Sequence, residues 1–111
     1  MPSYSLFAFT NAVPGREEEF NDWYTNTHLA DVLRLPGVCA AQRFRLGDLQ
    51  HKSGPHPWDY MAVYEIETDD LNVTLEKLRD VSGTSEMPLS PGLQEQRMVW
   101  IYQPITGRVE R

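Results

Sequence analysis

The stretch FNDWYTNTHLADVLRLPGV, residues 20–38, contains a helix, a helix stop and the start of a strand. In this stretch, the residues that would share one face of a helix recur at steps of three and four residues, which is the period of an α-helix. Glutamates at positions 17–19 place negative charge in the first turn, where the helix dipole favours it. The dipeptide Pro36-Gly37 marks the end. The pattern predicts a helix over residues 16–33, with the periodic positions Phe20, Tyr24, Thr27, Asp31 and Val32.

Outward from this helix, five further segments carry strand or helix patterns. Aromatic and β-branched residues, bounded by Pro and Gly, indicate strands. Leucines at helical spacing after Asp69-Asp70, which offers a cap, indicate a second helix that runs up to Gly83. The predicted strands cover residues 4–11, 38–46, 58–66 and 95–103.

The order of these elements is β-α-β-β-α-β, which is the split βαβ arrangement. We therefore predict an α+β protein with a ferredoxin-like fold, in which a four-stranded antiparallel sheet has both helices on one face. The length of 111 residues is near the size of one domain. Residues 1–111 are predicted to form that single domain.

Two of the predicted strands carry bulky apolar side chains at both parities. Residues 60–64 and 98–102 are aromatic or aliphatic at almost every position. In a sheet with one solvent-exposed face, apolar and polar residues would instead alternate along each strand. Two small helices can cover only one face, so the pattern predicts a homodimer packed face to face through the sheets.

The charge and cysteine content argue against several classes of protein. With 16 Asp and Glu against 10 Lys and Arg, the net charge of −6 argues against a nucleic-acid surface and disfavours anionic membranes. A lone cysteine, Cys39, cannot form an internal disulfide, and the N-terminus lacks the segments of a secretory signal. A cytoplasmic protein is expected.

The motifs of several chemistries are missing from the sequence. It has no Gly-rich phosphate loop, no nucleophile elbow and no dinucleotide fingerprint, and we expect no cofactor. His51 and His56 lie five residues apart in a Pro-Gly loop, with Asp48 and Asp59 nearby. They allow a metal clip, but structural sites have tighter spacing, so a solvated loop and no metal site are predicted.

His28 is a titratable residue on the apolar face of the first predicted helix. At about 100° per residue it lies roughly 40° from both Tyr24 and Val32. One interpretation is a core imidazole held by a hydrogen bond to a hydroxyl or carbonyl. The other is a general base, because burial among aromatic rings would lower the pKa of the imidazole and keep it neutral near pH 7.

The motif F-x-x-W-Y-x-x-x-H-L over residues 20–29, followed by L-P-G-V over residues 35–38, resembles the EthD-like members of the dimeric α+β barrel superfamily. The resemblance implies a ferredoxin-like homodimer. It also implies relatives that are cofactorless cyclases, decarboxylases, isomerases and monooxygenases of aromatic and polyketide metabolism, with a functional histidine at His28. Two positions depart from the pattern, because Ala30 replaces a proline of many relatives and Ala41 replaces a tyrosine of some.

Three residues are candidate partners in the chemistry of His28. Asp31 would orient the ring or hold its proton, or it is a solvated carboxylate at the helix end. Tyr24 is a hydrogen-bond partner or a core residue. Arg43 anchors an anionic or phenolic substrate, or it is an exposed charge paired with an acidic residue.

A pool of aromatic residues supplies candidates for contact with an aromatic substrate. Most are expected in the core or the dimer interface, and their parity is not determined by the sequence. The predicted substrate contacts are Phe7, Phe9, Tyr60, Tyr64 and Trp100, besides Arg43.

Three functions are compatible with these features. The leading hypothesis is a cofactor-independent enzyme that performs acid–base catalysis with His28 on a carbonyl or enolisable, aromatic or polyketide-like substrate, as a cyclase, decarboxylase or isomerase. The second is a cofactorless or haem-linked monooxygenase of the same superfamily. The third is a non-enzymatic module that binds a small molecule or has an accessory role.

Overall fold

The computed structural model describes residues 1–111 and contains a four-stranded antiparallel sheet, with strands β1 (Ser3–Thr10), β2 (Val38–Arg45), β3 (Tyr60–Glu67) and β4 (Met98–Tyr102). The strands lie in the order β2-β3-β1-β4. The central pair runs antiparallel along its whole length, from Ser3 opposite Glu67 to Thr10 opposite Tyr60. This is the sheet of the split βαβ arrangement, and it confirms the predicted fold.

The helix predicted over residues 16–33 is present, but it is not uniform. In its middle the amide of Leu29 donates to the carbonyl oxygen of Tyr24, five residues earlier rather than four. Such a π turn inserts an extra residue and shifts the side chains around it. The offset of about 40° between Tyr24 and His28 therefore does not apply. The first helix consists of α1 (Glu17–Trp23), the π turn (Tyr24–His28) and α2 (Leu29–Leu33).

The predicted stop at Pro36-Gly37 is confirmed, and the turn requires glycine. Gly37 has a φ of +82°, which side chains of L-residues rarely tolerate. A Cβ at this position would lie 2.9 Å from the carbonyl oxygen of Glu67. The amide of Glu67 donates to the Gly37 carbonyl at 2.8 Å. The turn thus rests on the end of β3 and determines where β2 begins.

The second helix, α3 (Leu71–Val81), lies where the leucine spacing predicts it. The predicted aspartate cap is wrong: Asp70 is at the N-cap position, but its side chain forms no capping hydrogen bond. Its amide instead donates to Oγ1 of Thr68 at 3.1 Å. No helix of the protein has the length and apolarity that crossing a membrane requires.

The last strand is shorter than the predicted residues 95–103. The amide of Gln94 donates to the carbonyl of Asn11 at 3.0 Å, beyond the last ladder pair of Phe9 with Met98. Residues 95–97 are therefore a short excursion between this attachment and β4. The excursion contains Arg97.

The inner face of the sheet is covered by both helices. Phe20, Val32 and Val81 from the helices belong to one buried cluster with inward residues of the strands. Leucines of α3 pack against the same cluster. The arrangement of two helices on one face is as predicted. The strand residues of the cluster are Leu6, Ala8, Ala62, Tyr64 and Ile66.

The outer face of the sheet, which we call the open face, has no helix over it. Trp100 and Tyr102 are 49% and 53% exposed there, and Phe44 is 42% exposed. Phe7 packs edge-on against Tyr102 with ring centroids 5.4 Å apart. The prediction that both faces are apolar is confirmed, and the homodimer stays a prediction. The bulky apolar residues of the open face are Phe7, Phe9, Phe44, Met61, Val63, Met98, Trp100 and Tyr102.

Candidate active site

A cavity of about 130 Å³ lies between the first helix, the inner sheet face, the end of α3 and residues 89–97. Its walls are mainly aliphatic and aromatic. Besides the hydroxyls of Tyr24 and Tyr64, polar groups come from Thr10, His28, Ser82 and Arg97. A partly apolar cavity with a few polar groups is the usual form of a small-molecule site.

The ring of His28 forms part of the wall of this cavity. It stacks on Trp23, with centroids 4.6 Å apart and planes 27° apart, and meets Tyr24 edge-on at 4.8 Å. Its Nδ1 atom is buried and has no hydrogen-bond partner. A core imidazole would be held by such a bond, so this observation disfavours the purely structural interpretation.

Burial, together with the smaller effects of the Arg97 and Arg43 guanidinium groups, lowers the pKa of His28 to about 4. The Asp31 carboxylate acts in the opposite direction but does not compensate. The imidazole is therefore neutral at pH 7 and able to accept a proton.

The π turn explains why three rings meet at this point. Trp23 and Tyr24 are adjacent, and the turn brings the ring of His28 into contact with both. The indole Nε1 of Trp23 donates to the Pro88 carbonyl at 3.0 Å, which ties the ring to the loop after α3. π turns inside α-helices are frequent at functional sites.

Tyr24 and Tyr64 both line the cavity and share a hydrogen bond. The Tyr64 hydroxyl donates to the Tyr24 hydroxyl at 3.2 Å. Burial raises the pKa of each phenol, so both stay protonated. Tyr64 lies directly opposite Ala41 in the sheet. A phenol is thus present beside the position where some relatives have their tyrosine.

Asp31 is not hydrogen-bonded to His28 and does not line its cavity. One carboxylate oxygen, Oδ1, forms an ion pair with Arg34, and the other, Oδ2, is buried without a partner. The residue is 8% exposed, so the interpretation as a solvated carboxylate is wrong. Asp31 therefore affects the pKa of His28 only through the negative charge of its carboxylate.

Arg43 lies behind Tyr24 and outside the cavity. Its guanidinium carbon is 4.5 Å from the centroid of the Tyr24 ring, and it donates to Thr25 Oγ1 at 2.8 Å and to Asn21 Oδ1 at 2.9 Å. It has no carboxylate partner, so the expectation of an ion pair with an acidic residue is wrong. Tyr60 stacks on the same guanidinium at 5.5 Å.

Of the aromatic residues predicted to contact substrate, Tyr64 is brought to the cavity. Phe7, Phe9 and Trp100 lie on the open face, on the other side of the sheet. Tyr60 is on the inner face but beyond the cavity, where its hydroxyl accepts a hydrogen bond from Asn21. Because side chains alternate between the two faces along each strand, these five aromatic residues are divided between the inner face and the open face.

The loop histidines do not form a metal site with other residues. His56 bonds through Nε2 to the carbonyl of Lys52 at 2.9 Å. The structure contains no group of three or more His, Cys, Asp or Glu side chains placed to hold a metal ion.

Sequence reasoning missed three polar residues of the cavity, Thr10, Ser82 and Arg97. Thr10 follows Leu6 and Ala8 at the spacing of one strand face, so its inward direction could have been inferred. Arg97 lies within a predicted strand, and no pattern indicated that the chain leaves the sheet there.

No protein-family model matches the sequence. A curated protein, core atranone cluster (CAC) protein 1 of Stachybotrys chlorohalonatus, is 33% identical over 72 residues, which cover 65% of this chain and 26% of that protein. The matched segment is thus about a quarter of the length of that relative.

Solved structures with the same fold cover nearly the whole chain. A Bordetella bronchiseptica protein provisionally named an antibiotic biosynthesis monooxygenase has a TM-score of 0.66 and 19% identity, over 96% of this chain and 100% of that one. An EthD-like protein of Ralstonia eutropha has a TM-score of 0.64 and 10% identity, over 100% and 99%.

A Streptomyces coelicolor monooxygenase in complex with nanaomycin D has a TM-score of 0.52 and 14% identity, over 99% of this chain and 93% of that one. At these identities the likeness shows the fold. The chain has the ferredoxin-like fold of EthD-like proteins, as the motif around His28 predicts.

Proposed function

We propose that the protein is a small enzyme of secondary metabolism that binds an enolisable ring compound in the cavity and uses His28 as a general base. The observation that carries the proposal is the neutral imidazole in the cavity wall, with a ring nitrogen that no protein group occupies. Under this proposal Tyr24 and Tyr64 are hydrogen-bonding groups and Asp31 tunes the charge of the ring.

The chemistry begins with the transfer of a proton from a carbon next to a carbonyl group to His28. The electron pair left behind moves into the carbonyl and forms an enolate. Return of the proton to another carbon completes an isomerisation, and attack of the enolate carbon on a second carbonyl closes a ring. In a decarboxylation the enolate forms instead when the C–C bond to the carboxylate of a β-keto acid breaks and CO₂ leaves, and a proton is then added to the carbon. The Tyr24 hydroxyl accepts from Tyr64 and keeps its own proton, so it can donate to the enolate oxygen.

A pKa of about 4 makes His28 a weak base in the free protein. Two effects offset this weak basicity once a substrate is bound. A bound anion raises the pKa of a neighbouring imidazole, and the Arg97 guanidinium stabilises the negative charge that develops on the substrate. The base and the charge stabiliser line one cavity.

The comparisons support the same class of activity. The curated relative is named for a biosynthetic cluster, and one structural neighbour holds a small molecule. Both names describe the relatives themselves. For this chain they favour a small organic substrate.

A second candidate is a cofactor-independent monooxygenase, which is favoured by the monooxygenase names of two structural neighbours. It would share the first proton transfer. The activated CH₂ group would then be oxidised to a carbonyl, with one atom of O₂ kept in the product and the other released as water. The haem-linked version lacks support, because a cavity of about 130 Å³ is too small to enclose a porphyrin.

The experiment measures deuterium exchange at the α-carbon of a one-ring ketone, cyclohexanone, by proton NMR in D₂O. The wild-type protein is expected to accelerate exchange, and His28→Gln to reduce that acceleration by about 10²- to 10⁴-fold. His56→Gln, in the exposed loop, is the control and keeps the full rate. Equal rates for wild type and His28→Gln would contradict the proposal and favour the non-enzymatic module.

A parallel measurement of dissolved oxygen separates the two candidates. Proton transfer alone leaves the oxygen concentration unchanged while exchange proceeds. Consumption of O₂ that depends on His28 would favour the monooxygenase.

The protein is further proposed to act as a homodimer joined through the open face. The apolar side chains of that face leave half of Trp100 and Tyr102 exposed. Large exposed apolar patches mark interaction surfaces, and a second copy presents the same patch.

A further inference from the structure

Two polar atoms on residues of the cavity wall have no hydrogen-bond partner in the protein. Thr10 is 4% exposed, and its Oγ1 is buried and makes no hydrogen bond. The Nδ1 atom of His28 is likewise buried and makes no hydrogen bond. Both residues line the same cavity. Native proteins satisfy nearly all buried polar atoms, so two unpartnered atoms on residues that line one cavity favour a ligand with polar atoms.

Arg97 adds a positive charge to this group. It lines the cavity from the excursion of residues 95–97. The four salt bridges of the chain lie elsewhere, and the neighbouring Glu95 takes part in none of them. Because no carboxylate of the protein neutralises the guanidinium, it is available to an anion from outside.

The charge of the whole chain makes this local feature informative. The net charge of −6 repels free anions from the surface in general. An anionic ligand therefore needs a specific positive site, and Arg97, an exposed residue, provides the one guanidinium among the residues that line the cavity. A guanidinium and a hydroxyl donor together match the oxygens of a carboxylate or of an ionised phenol.

We propose that Arg97 and Thr10 bind an anionic oxygen of the ligand, so that the cavity takes a small acidic ring compound, a ring that carries a carboxylate or an ionised phenol. Arg97 pairs with the negative charge, and the Thr10 hydroxyl donates to the same group. The apolar walls enclose the ring, which is of the size of one benzene ring at about 130 Å³. This assignment names the ligand class of the site described under the proposed function and rests on that site, but it does not require the proton transfer.

The experiment compares benzoate with benzamide, which have the same ring and nearly the same shape but differ in charge. Calorimetric titration of the wild-type protein is expected to show millimolar or tighter binding of benzoate and at least about 10-fold weaker binding of benzamide. Arg97→Gln is expected to reduce this preference to within about 2-fold. Arg79→Gln, an exposed arginine of α3, carries the same charge change and serves as the control with wild-type binding.

Thr10 is tested by a pair of substitutions. Thr10→Val keeps the shape and removes the hydroxyl, and it is expected to weaken benzoate binding by about 5- to 20-fold. The same substitution should raise the urea midpoint of unfolding, since it removes a buried hydroxyl that has no partner. Thr10→Ser retains the hydroxyl and is expected to retain binding. A Thr10 with a purely structural role would not show opposite changes in binding and stability.

Each outcome decides the proposal. Absence of benzoate binding at millimolar concentration, equal affinity for benzamide, or unchanged binding by Arg97→Gln would overturn it. Loss of exchange in His28→Gln with binding of benzoate independent of Arg97 would leave the proton transfer standing without this assignment. The reverse result, selective binding of benzoate without any exchange, would keep the assignment and remove the enzyme.

Discussion

The two faces of the sheet carry side chains of opposite character. The open face is rich in large aromatic rings, yet Trp100, Tyr102 and Phe44 are about half exposed. The inner face is tightly buried, yet its cavity contains Thr10 and His28 with polar atoms that lack partners. The face proposed to meet a second copy is therefore distinguished by exposed aromatic rings, whereas the proposed ligand site is distinguished by unpaired polar atoms.

The largest effect is expected where the inner face is packed most tightly. Phe20 is fully buried, and its ring lies within 6.2 Å of those of Trp23, Tyr24 and Tyr60. Phe20→Ala is expected to lower the free energy of unfolding by about 3–5 kcal/mol, measured by urea denaturation, because the cavity left behind cannot collapse.

The matched substitution on the open face is Phe44→Ala. It is expected to cost about 1–2 kcal/mol, since Phe44 is already 42% exposed in the single chain. An equal cost at the two positions would show that the faces do not differ in burial.

The next effect concerns the charge state of the inner face. The pKa of His28 is about 4 in the folded protein, against an ordinary 6.5. Between these values the unfolded chain binds more protons, so stability falls as the pH drops from 6.5 towards 4. His28 should contribute a loss of about 3 kcal/mol over this range.

His28→Gln lacks this titration. Urea denaturation at pH 7, 5 and 4 should therefore show wild type losing about 3 kcal/mol more than the variant. Parallel curves for the two proteins would mean that the imidazole is not held neutral by burial.

A third expected effect concerns association through the open face. Trp100→Asp places a charge within the patch and is expected to weaken a homodimer by about 30-fold or more, because a buried tryptophan commonly contributes at least about 2 kcal/mol at an interface. Sedimentation of the wild-type protein at micromolar concentration should give a dimer, and the variant a folded monomer.

Val109→Asp introduces the same charge at an apolar residue of the tail that is 86% exposed. It should leave the dimer intact. A wild-type protein that sediments as a monomer would remove the assignment of the open face to a second copy.

The smallest effect is expected from the hydroxyl pair of the inner face. Tyr64→Phe removes the hydrogen bond to Tyr24, 3.2 Å long, and should cost about 0.5–1.5 kcal/mol in urea denaturation. Tyr4→Phe, on the same central sheet but without such a bond, is the control. A loss well above this range would indicate a larger polar network in the cavity.

Much of the fold was predictable because it depends on local patterns. The helix of residues 16–33, the stop at Pro36-Gly37 and the apolar residues at both parities of β3 and β4 can be read from neighbouring positions. These features depend on backbone propensity and side-chain period, which act over a few residues. The element order then limits the topology to the split βαβ arrangement.

Less of the candidate site was predictable. The sequence placed His28 on the buried side of the first helix, and the structure agrees. It did not indicate the π turn, because the choice between a four- and a five-residue hydrogen bond is made by packing of Trp23, Tyr24 and His28 against the sheet. Nor did it separate Tyr64 from Phe7, Phe9 and Trp100.

The sequence was thus sufficient to predict the helices and strands, their order and the position of the His28 imidazole on the first helix. The pairing register assigned each aromatic ring to a face, since a shift of one residue exchanges the two faces of a strand. Long-range attachment of Gln94 to Asn11 and Ala12 released residues 95–97 from the sheet and brought Arg97 to the cavity. Such contacts join positions more than 80 residues apart, and their formation depends on the free energy of the whole packed chain rather than on any local pattern.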